Sequence, residues 1–403
     1  MSSIRITTGG ESHGPAEVCI IEGLPAGMSL TQEDIDTDLA RRQRGYGRGG
    51  RMAIETDRCQ LVAGVRQGQT IGSPVVVVVE NADHKNWGER MRVDSAEQGA
   101  APQYLESIPR PGHADLAGMA KYHHEEIRPV LERASARETT ARVAGGAVCR
   151  RLLREVGVTV RGRVVQIGGV LSQTSDADYA YPNAIDWPAA ESSPVGCDDP
   201  TSGDLMCKAI DRAKEDGDSL GGVFEIWAWG ICPGLGSYAT MDERLDGRLM
   251  RAMGCIPAIK GAEIGRAFHD SGMLGSQVHD AISTEEVGRK HRIVRPTNRA
   301  AGLEGGTTNG MPLVMRASMK PIPTLMNALP SVDTQTMTSV KAHVERSDVT
   351  AVPAATVVAE AMVSWVLAAA YVEKFAADSI TELTRSLAMY QKDLEDRGLW
   401  RPS

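Results

Sequence analysis

The feature that most limits how this chain can fold is a helical segment crowded with small side chains. Residues 133–155 read RASARETTARVAGGAVCRRLLRE, and their small residues are Ala134, Ala136, Ala141, Ala144, Gly145, Gly146 and Ala147. A helix surface without large side chains lets a second element approach its backbone closely, so we predict that this helix lies at the centre of the fold.

A second long apolar segment, residues 354–372, has the length of a membrane span. It contains Glu360 and many alanines, which favour a helix buried in protein over one in lipid. We therefore predict a buried helix over 353–372 that begins at Pro353, followed by another over about 378–397.

The predicted strands occur in hairpin-like groups and do not alternate strictly with helices. They are IRITTGG, VCIIEGLP, RMAIETD, CQLVAGV, the valine run 75–79, VTVRGRVVQIGGVL, FEIWAWGI and PLVMRASMKP. Further helices are predicted from an N-cap at Thr31 to about Arg42, over 203–216 and over 242–253, with a polar loop at 176–202 and a mobile flap at 267–295. This pattern favours the α+β class over a doubly wound sheet. Two Gly-Gly turns, each before a strand, suggest an internal duplication.

Length suggests two or three domains, but no linker-like tract divides the 403 residues, so one large domain is equally allowed. Seven cysteines without a C-x-x-C pair exclude a complete disulfide framework and indicate no metal site. The opening MSSIRITTGG lacks the apolar core of a secretory signal, so we expect a cytoplasmic protein.

The formal net charge of −8 argues against generic binding to nucleic acid or to anionic membranes. Against this background, the segment RRQRGYGRGGR holds Arg41, Arg42, Arg44, Arg48 and Arg51 without an acidic residue. Arginine forks match pairs of phosphate or carboxylate oxygens, so this segment predicts a cradle for an anion. Binding of RNA by an arginine-glycine loop is the alternative.

Two histidines lie in glycine turns. His13 stands between Gly10 and Gly14, and His113 follows a Pro-Gly pair two residues before Asp115. A lone histidine is more often structural than catalytic, but glycine backbone lets these rings approach a ligand, and a nearby anion stabilises the protonated ring. Both are therefore candidate acids.

Three other segments predict anion contacts. Arg133, Ser135 and Arg137 open the small-residue helix, whose free amides favour phosphate. The stiff loop KPIPT (320–324) offers a cation and a hydroxyl, and RSD (346–348) offers an arginine and a carboxylate. Taken singly, each segment is equally compatible with a turn or an ion pair.

Together these motifs resemble the chorismate synthase family. GESHG, RRxxGxxR, RPGHAD, ERASARET, AIKGAEIG, NRAAGLEGGTTNGMPL, KPIPT and RSDVTAVPA follow in the family's order between about residues 4 and 393. The resemblance implies a single-domain β-α-β sandwich of antiparallel sheets around central helices, one domain over 1–403, assembled as a homotetramer. It also implies a lyase of the shikimate pathway for aromatic amino acid biosynthesis. That enzyme converts 5-enolpyruvylshikimate 3-phosphate to chorismate with reduced flavin mononucleotide (FMNH2) and no net redox change.

The resemblance also implies roles for individual residues. His13 would protonate the leaving phosphate, His113 would protonate the flavin, and Asp348 would help the flavin nitrogen accept the ring hydrogen. The implied flavin contacts are Arg133, Ala134, Ser135, Pro257, Ala258, Gly305, Lys320, Pro321, Ile322, Pro323, Thr324 and Arg346. The implied contacts to substrate or NADP are Arg42, Arg48, Arg51, Arg110 and Arg137.

One position departs from the pattern, because Pro257 stands where some members of the family carry asparagine or glutamine, so an amide contact to the flavin is lost. NADPH would act only indirectly, by reducing the flavin, and the compact chain suggests a separate reductase for that step. The competing hypothesis is a flavin oxidoreductase that consumes NADPH, but the chain has no G-x-G-x-x-G after a strand.

Overall fold

A computed structural model describes residues 3–49, 56–94, 105–176, 178–287, 290–344 and 347–400. The strands in these ranges are β1 (Arg5–Gly9), β2 (Ala16–Glu22), β3 (Cys59–Ala63), β4 (Val65–Arg66), β5 (Gln69–Thr70), β6 (Val75–Glu80), β7 (Thr159–Ile167), β8 (Val170–Leu171), β9 (Gly222–Trp229), β10 (Ile259–Ile264), β11 (Ser283–Val287), β12 (Lys290–Val294), β13 (Leu303–Glu304), β14 (Thr307–Thr308), β15 (Leu313–Met319), β16 (Pro330–Asp333) and β17 (Thr338–Lys341). The helices are α1 (Gln32–Gln43), α2 (Asp115–Tyr122), α3 (Arg128–Arg133), α4 (Thr139–Glu155), α5 (Trp187–Ser192), α6 (Pro200–Glu215), α7 (Leu245–Gly254), α8 (Ala267–Asp270), α9 (Gly275–Val278), α10 (Val352–Phe375) and α11 (Ile380–Asp396).

Two antiparallel sheets carry most of the strands. The first has the order β1-β2-β6-β3, and the second has the order β10-β15-β9-β7-β8. In the first sheet Cys19 pairs with Val77, so the alternate residues of β2 and β6 that face the helices form one buried surface. The prediction of antiparallel strands mixed with helices is therefore confirmed.

Helices α4 and α10 form the centre of the molecule. α4 contacts β1, β2 and β6, α10 contacts β7 and β9, and the two helices contact each other. A Cβ built on Gly146 of α4 would lie 2.3 Å from the Cβ of Ala361, so only glycine allows this close approach. The small residues of the predicted central helix thus serve the packing function expected of them.

α10 is the helix within the described ranges that is long and apolar enough to cross a membrane, and 94% of its most apolar window is buried inside the protein. Glu360 of this helix binds Arg41 and Arg150 and accepts a hydrogen bond from the Gly162 amide. The prediction of a helix buried in protein over this segment is borne out.

The outer face of the second sheet is covered by the segment after β8. In the sheet, Glu225 pairs in register with Arg163 on one side and Arg316 on the other, and all three make salt bridges. Tyr179, from the covering segment, donates a hydrogen bond to Glu225. A buried carboxylate held by two arginines is stable only because it is paired on both sides.

Several sequence predictions need correction. The segment 133–155 is not one helix, because Ser135 is extended (φ −64°, ψ 144°) and separates α3 from a 3₁₀ turn (Ala136–Glu138) and α4. The backbone amides expected to be free there are partly used, since the Arg137 amide donates to the Ser135 hydroxyl.

Two other predicted segments also differ. The predicted loop 176–202 contains α5, and the irregular segment 267–295 contains the hairpin β11–β12. Most of the predicted strand RMAIETD lies outside the described residues, and β3 pairs with β6.

Candidate active site

A cavity of about 1040 Å³ opens beside the N-terminal end of α4. This volume is slightly above the range of roughly 300–1,000 Å³ that is typical of ligand sites. Among the described lining residues, eight arginines and one lysine face four carboxylates: Arg42, Arg48, Arg90, Arg110, Arg128, Arg133, Arg137, Arg142 and Lys320 against Asp83, Glu106, Glu138 and Asp348. The protein as a whole is acidic, so this concentration of cations marks a site for anions.

The loop that carries His13 is fixed to the end of α3. The Glu132 carboxylate accepts hydrogen bonds from the His13 amide (2.8 Å) and from His13 Nδ1 (2.9 Å). Burial would raise the pKa of Glu132, but the hydrogen bonds and charge of His13 outweigh it and hold that pKa below its usual value. Because Nδ1 is bound to a carboxylate, a proton exchanged with a ligand in the cavity would pass through Nε2.

Gly10 explains why a glycine stands so close to this histidine. Its φ is +123°, and an added Cβ would lie 2.5 Å from the Ala16 carbonyl oxygen and 2.6 Å from Glu17 Oε2. The turn between β1 and β2 therefore needs a residue without a side chain. Ser12 of the same turn donates to Ser135 (3.0 Å), which joins the GESHG and ERASAR segments.

His113 lines the cavity at the start of α2. Its Nδ1 contacts Asp115, which also accepts hydrogen bonds from the amide (2.9 Å) and Nε (3.1 Å) of Arg110. Burial would raise the pKa of Asp115, but these hydrogen bonds lower it to about 2. Asp115 is therefore ionised at neutral pH and orients both the ring and the guanidinium.

Arg42 and Arg137 are held together by one buried carboxylate. Asp57 accepts from Arg42 (3.3 Å) and from Arg137 (2.5 Å). Arg42 also donates to Thr139 and to the Ala136 carbonyl. Burial, opposed by Asp57 and reinforced by the neighbouring arginines, lowers the pKa of Arg42 to about 10, so the group stays charged at neutral pH. Both arginines are rigid cations at the cavity wall.

Asp348 also forms an ion pair with an arginine of the cavity wall. Its Oδ2 contacts Arg48 at 2.9 Å, and its Oδ1 accepts from the Gly49 amide at 2.5 Å. The arginine-rich segment and the segment before α10 thus meet at the cavity. Arg51 and Arg346, also predicted for the site, lie outside the described residues.

The cavity wall brings most of the predicted flavin contacts together: Arg133, Ala134, Ser135, Pro257, Ala258, Lys320, Ile322, Pro323 and Thr324. The amine of Lys320 donates to the Gly112 carbonyl. The pKa of Lys320 is lowered by burial and, to a smaller extent, by the charge of Lys260. Two predicted contacts are not in this wall. Pro321 and Gly305 are both exposed, and Gly305 lies in the turn between β13 and β14.

Several functional residues were not predicted from the sequence. Glu132 binds His13 without lining the cavity, and it could have been singled out because it belongs to the ERASARET segment. No local pattern identifies Trp87, Arg128, Arg142 or His343. The apolar side chains in the wall are Leu131, Ile256, Met319, Ala351, Ala354, Ala355 and Val358. Such a wall can pack against a planar ring while the arginines hold charged groups.

Comparisons with known proteins agree on one family. The sequence model of the family described as chorismate synthase matches residues 4–372. A chorismate synthase of Moorella thermoacetica is 50% identical over 396 residues, which cover 98% of this chain and 100% of that protein. One of Desulforudis audaxviator is 51% identical over 380 residues, 94% of this chain and 95% of that protein. A solved structure described as the crystal structure of chorismate synthase superposes with a TM-score of 0.79 at 38% identity, covering 98% of this chain and 99% of that one.

Proposed function

The chain belongs to the chorismate synthase family and is a lyase, and on this premise we propose that the cavity beside α4 is its active site. There the trans 1,4-elimination of phosphate from 5-enolpyruvylshikimate 3-phosphate would give chorismate. The observation that carries the proposal is that one cavity collects GESHG, the arginine-rich segment, RPGHAD, ERASARET, KPIPT and Asp348.

The wall suits a flavin together with an anionic substrate. Reduced flavin mononucleotide, when bound, would lend electron density to the departing phosphate and recover it, so the reaction would have no net redox change. The side chains that would hold it are Arg133, Ala134, Ser135, Pro257, Ala258, Lys320, Ile322, Pro323 and Thr324. The side chain of Pro257 would supply only apolar contact there.

We assign the binding of the substrate's phosphate and carboxylate to Arg42, Arg48, Arg110 and Arg137. Asp57 and Asp115 fix three of these guanidiniums before a ligand arrives, so little side-chain entropy is lost on binding. Asp348 fixes the fourth through its contact with Arg48.

His13 would deliver a proton from Nε2 to the leaving phosphate, because Glu132 holds its Nδ1. His113 would hold a proton for the flavin, oriented by Asp115. Asp348 would keep Arg48 and the Gly49 amide aligned while the ring hydrogen is removed. Each histidine is thus oriented by a carboxylate, which supports a role in proton transfer.

We propose one domain over 1–403 in which the two sheets enclose α4 and α10, assembled as a homotetramer. Seven free cysteines support a reducing cytoplasm. NADPH would serve only to reduce the flavin, through a separate reductase.

The test is an anaerobic assay of phosphate release from 5-enolpyruvylshikimate 3-phosphate with chemically reduced flavin mononucleotide. Turnover is expected with the reduced flavin and not with the oxidised flavin. Absence of turnover by well-folded enzyme would contradict the proposal. In a parallel assay that supplies NADPH and oxidised flavin, oxidation of one NADPH for every product molecule would instead support the alternative flavin oxidoreductase.

A further inference from the structure

Trp87 lies against His13 in the cavity wall and has no role in the reaction proposed above. The centroids of the imidazole and the indole are 3.9 Å apart, and the two ring planes differ by 25°. This is the separation of two stacked rings in van der Waals contact. The imidazole of His13 therefore covers part of one face of the indole.

We propose that Trp87 is a positioning residue for His13, an inference that rests on the function proposed above. Glu132 holds the ring of His13 at its Nδ1 edge, with the two carboxylate oxygens 2.9 and 3.1 Å from that atom. The stacked indole of Trp87 restrains the same imidazole along one of its faces. An imidazole held at one edge and along one face keeps Nε2 directed at one place, as proton transfer requires.

Trp87 is itself held from several sides. Its Nε1 donates to Asp83 (3.2 Å), and its amide donates to the His84 carbonyl (2.8 Å). The guanidinium carbons of Arg128 and Arg90 lie 5.0 and 5.3 Å from the ring centroid, within the range of a cation–π contact. A side chain fixed in this way can orient a neighbour.

The same short segment also holds the backbone of His13. Nδ1 of His84 contacts the His13 carbonyl oxygen at 2.9 Å, and His84 lies in the 3₁₀ turn (Ala82–Asn86) that ends at Trp87. Arg128, which faces the indole, also donates to Glu132 at 3.1 Å. The ring, the backbone and the carboxylate partner of His13 therefore belong to one connected group of contacts.

The first experiment compares Trp87→Leu with Trp87→Phe in the anaerobic assay. Leucine removes the flat surface, so we expect kcat to fall about 10- to 100-fold with little change in KM, as for a misplaced catalytic group. Phenylalanine keeps an aromatic face and should restore most of the rate. Trp187→Leu, which removes a stacked indole outside this cavity, is the matched control. Equal kcat values for wild type and Trp87→Leu, or no recovery in Trp87→Phe, would overturn the proposal.

The second experiment needs no turnover. Subtracting the fluorescence of Trp87→Phe from that of the wild type isolates the emission of Trp87. Contact with an imidazole ring alters the emission of indole, so this emission should change when His13→Gln removes the stacked ring.

His84→Gln, which leaves the ring of His13 in place, should not change this emission. The same emission in wild type and His13→Gln, or a change only with His84→Gln, would overturn the contact between Trp87 and His13. The expected change in an enzyme without turnover would instead count against the proposed function, so the two failures are distinguishable.

Discussion

At the scale of single residues, the environment of each ionisable group decides what it can do. His13 and His123 are both histidines near short helices, but His13 is bound to Glu132 inside the cavity, whereas His123 is the exposed C-cap of α2. Because the two side chains differ in their surroundings, substituting each of them tests whether the cavity gives His13 its role.

We expect His13→Ala to lower kcat by about 10²–10⁴-fold, the usual contribution of a general acid or base. His123→Ala should leave kcat unchanged, because that side chain does not line the cavity. Steady-state kinetics under anaerobic conditions measure both. A His13→Ala enzyme with the wild-type rate would remove this residue from the mechanism.

A second residue with unusual surroundings is Glu17 of β2, which is 1% exposed and whose two carboxylate oxygens have no hydrogen-bond partner. Burial, opposed by Arg137 and Arg133, raises its pKa from 4.5 to about 7. Between these two values the unfolded chain loses this proton while the folded protein keeps it. The free energy of unfolding therefore decreases with rising pH through this window.

Glu17→Gln imitates the protonated carboxyl group and should remove this pH dependence. We expect little change in stability near pH 4.5 and a gain on the order of 3 kcal/mol above pH 7. Urea denaturation at several pH values measures it. Glu22→Gln, at the exposed end of the same strand, is the matched control. The same response from both variants would show that burial of Glu17 is not the cause.

At the scale of elements, the contact between α4 and α10 depends on the absence of side chains. Gly146 touches the backbone of Ala361, and Gly145 of the same helix lies against the Cys19 side chain of β2. Glycine in a helix costs about 1 kcal/mol relative to alanine, so its use here indicates that packing outweighs helix propensity. Gly247 in α7 offers the contrast, since no heavy atom of a neighbour lies within 4 Å of a Cβ built there.

Gly146→Ala should lower the free energy of unfolding by about 1–3 kcal/mol, because the added methyl group overlaps Ala361. Gly247→Ala should leave stability unchanged or raise it by up to about 1 kcal/mol. Chemical denaturation of the two variants side by side gives the comparison. If both substitutions had the same effect, the close approach of α4 and α10 would not be a determinant of stability.

At the scale of the whole molecule, an acidic protein concentrates its arginines around one cavity. The formal net charge is −8, yet cations outnumber carboxylates in the described part of the cavity wall. The described arginines of the wall lie between residues 42 and 142, Lys320 comes from a distant part of the chain, and Arg48 is held there by Asp348. Packing between distant segments of the chain therefore produces the positive electrostatic potential in the cavity.

The positive charge around the cavity predicts that flavins with and without a phosphate group bind with different affinities. Flavin mononucleotide should bind at least about tenfold more tightly than riboflavin, because one hydrogen bond to a charged phosphate contributes about 1.5–3 kcal/mol. Salt should weaken the binding of the nucleotide more than that of riboflavin. Fluorescence titration with the oxidised flavins at two salt concentrations provides the measurement. Equal affinities would mean that the arginines of the wall do not hold the phosphate.

The sequence by itself determined the parts of this protein that depend on local chemistry. The N-cap of α1 at Thr31, the start of α10 beside Pro353, the buried valine strand and the antiparallel character of the sheets all follow from propensities, caps and periodicity. The glycine-histidine, arginine and KPIPT segments were also identified, because each carries its chemistry within a few residues. That chemistry is visible without knowledge of the fold.

The tertiary structure alone decided which groups meet. At the break between α3 and α4, Ser135 accepts a hydrogen bond from Ser12 of the GESHG turn, and Asp57 joins two arginines that are distant in the chain. The stacking of Trp87 on His13 has no local signal either. Contacts between distant segments depend on how helices and sheets pack, and the energy of packing belongs to the whole chain and to no single motif within it.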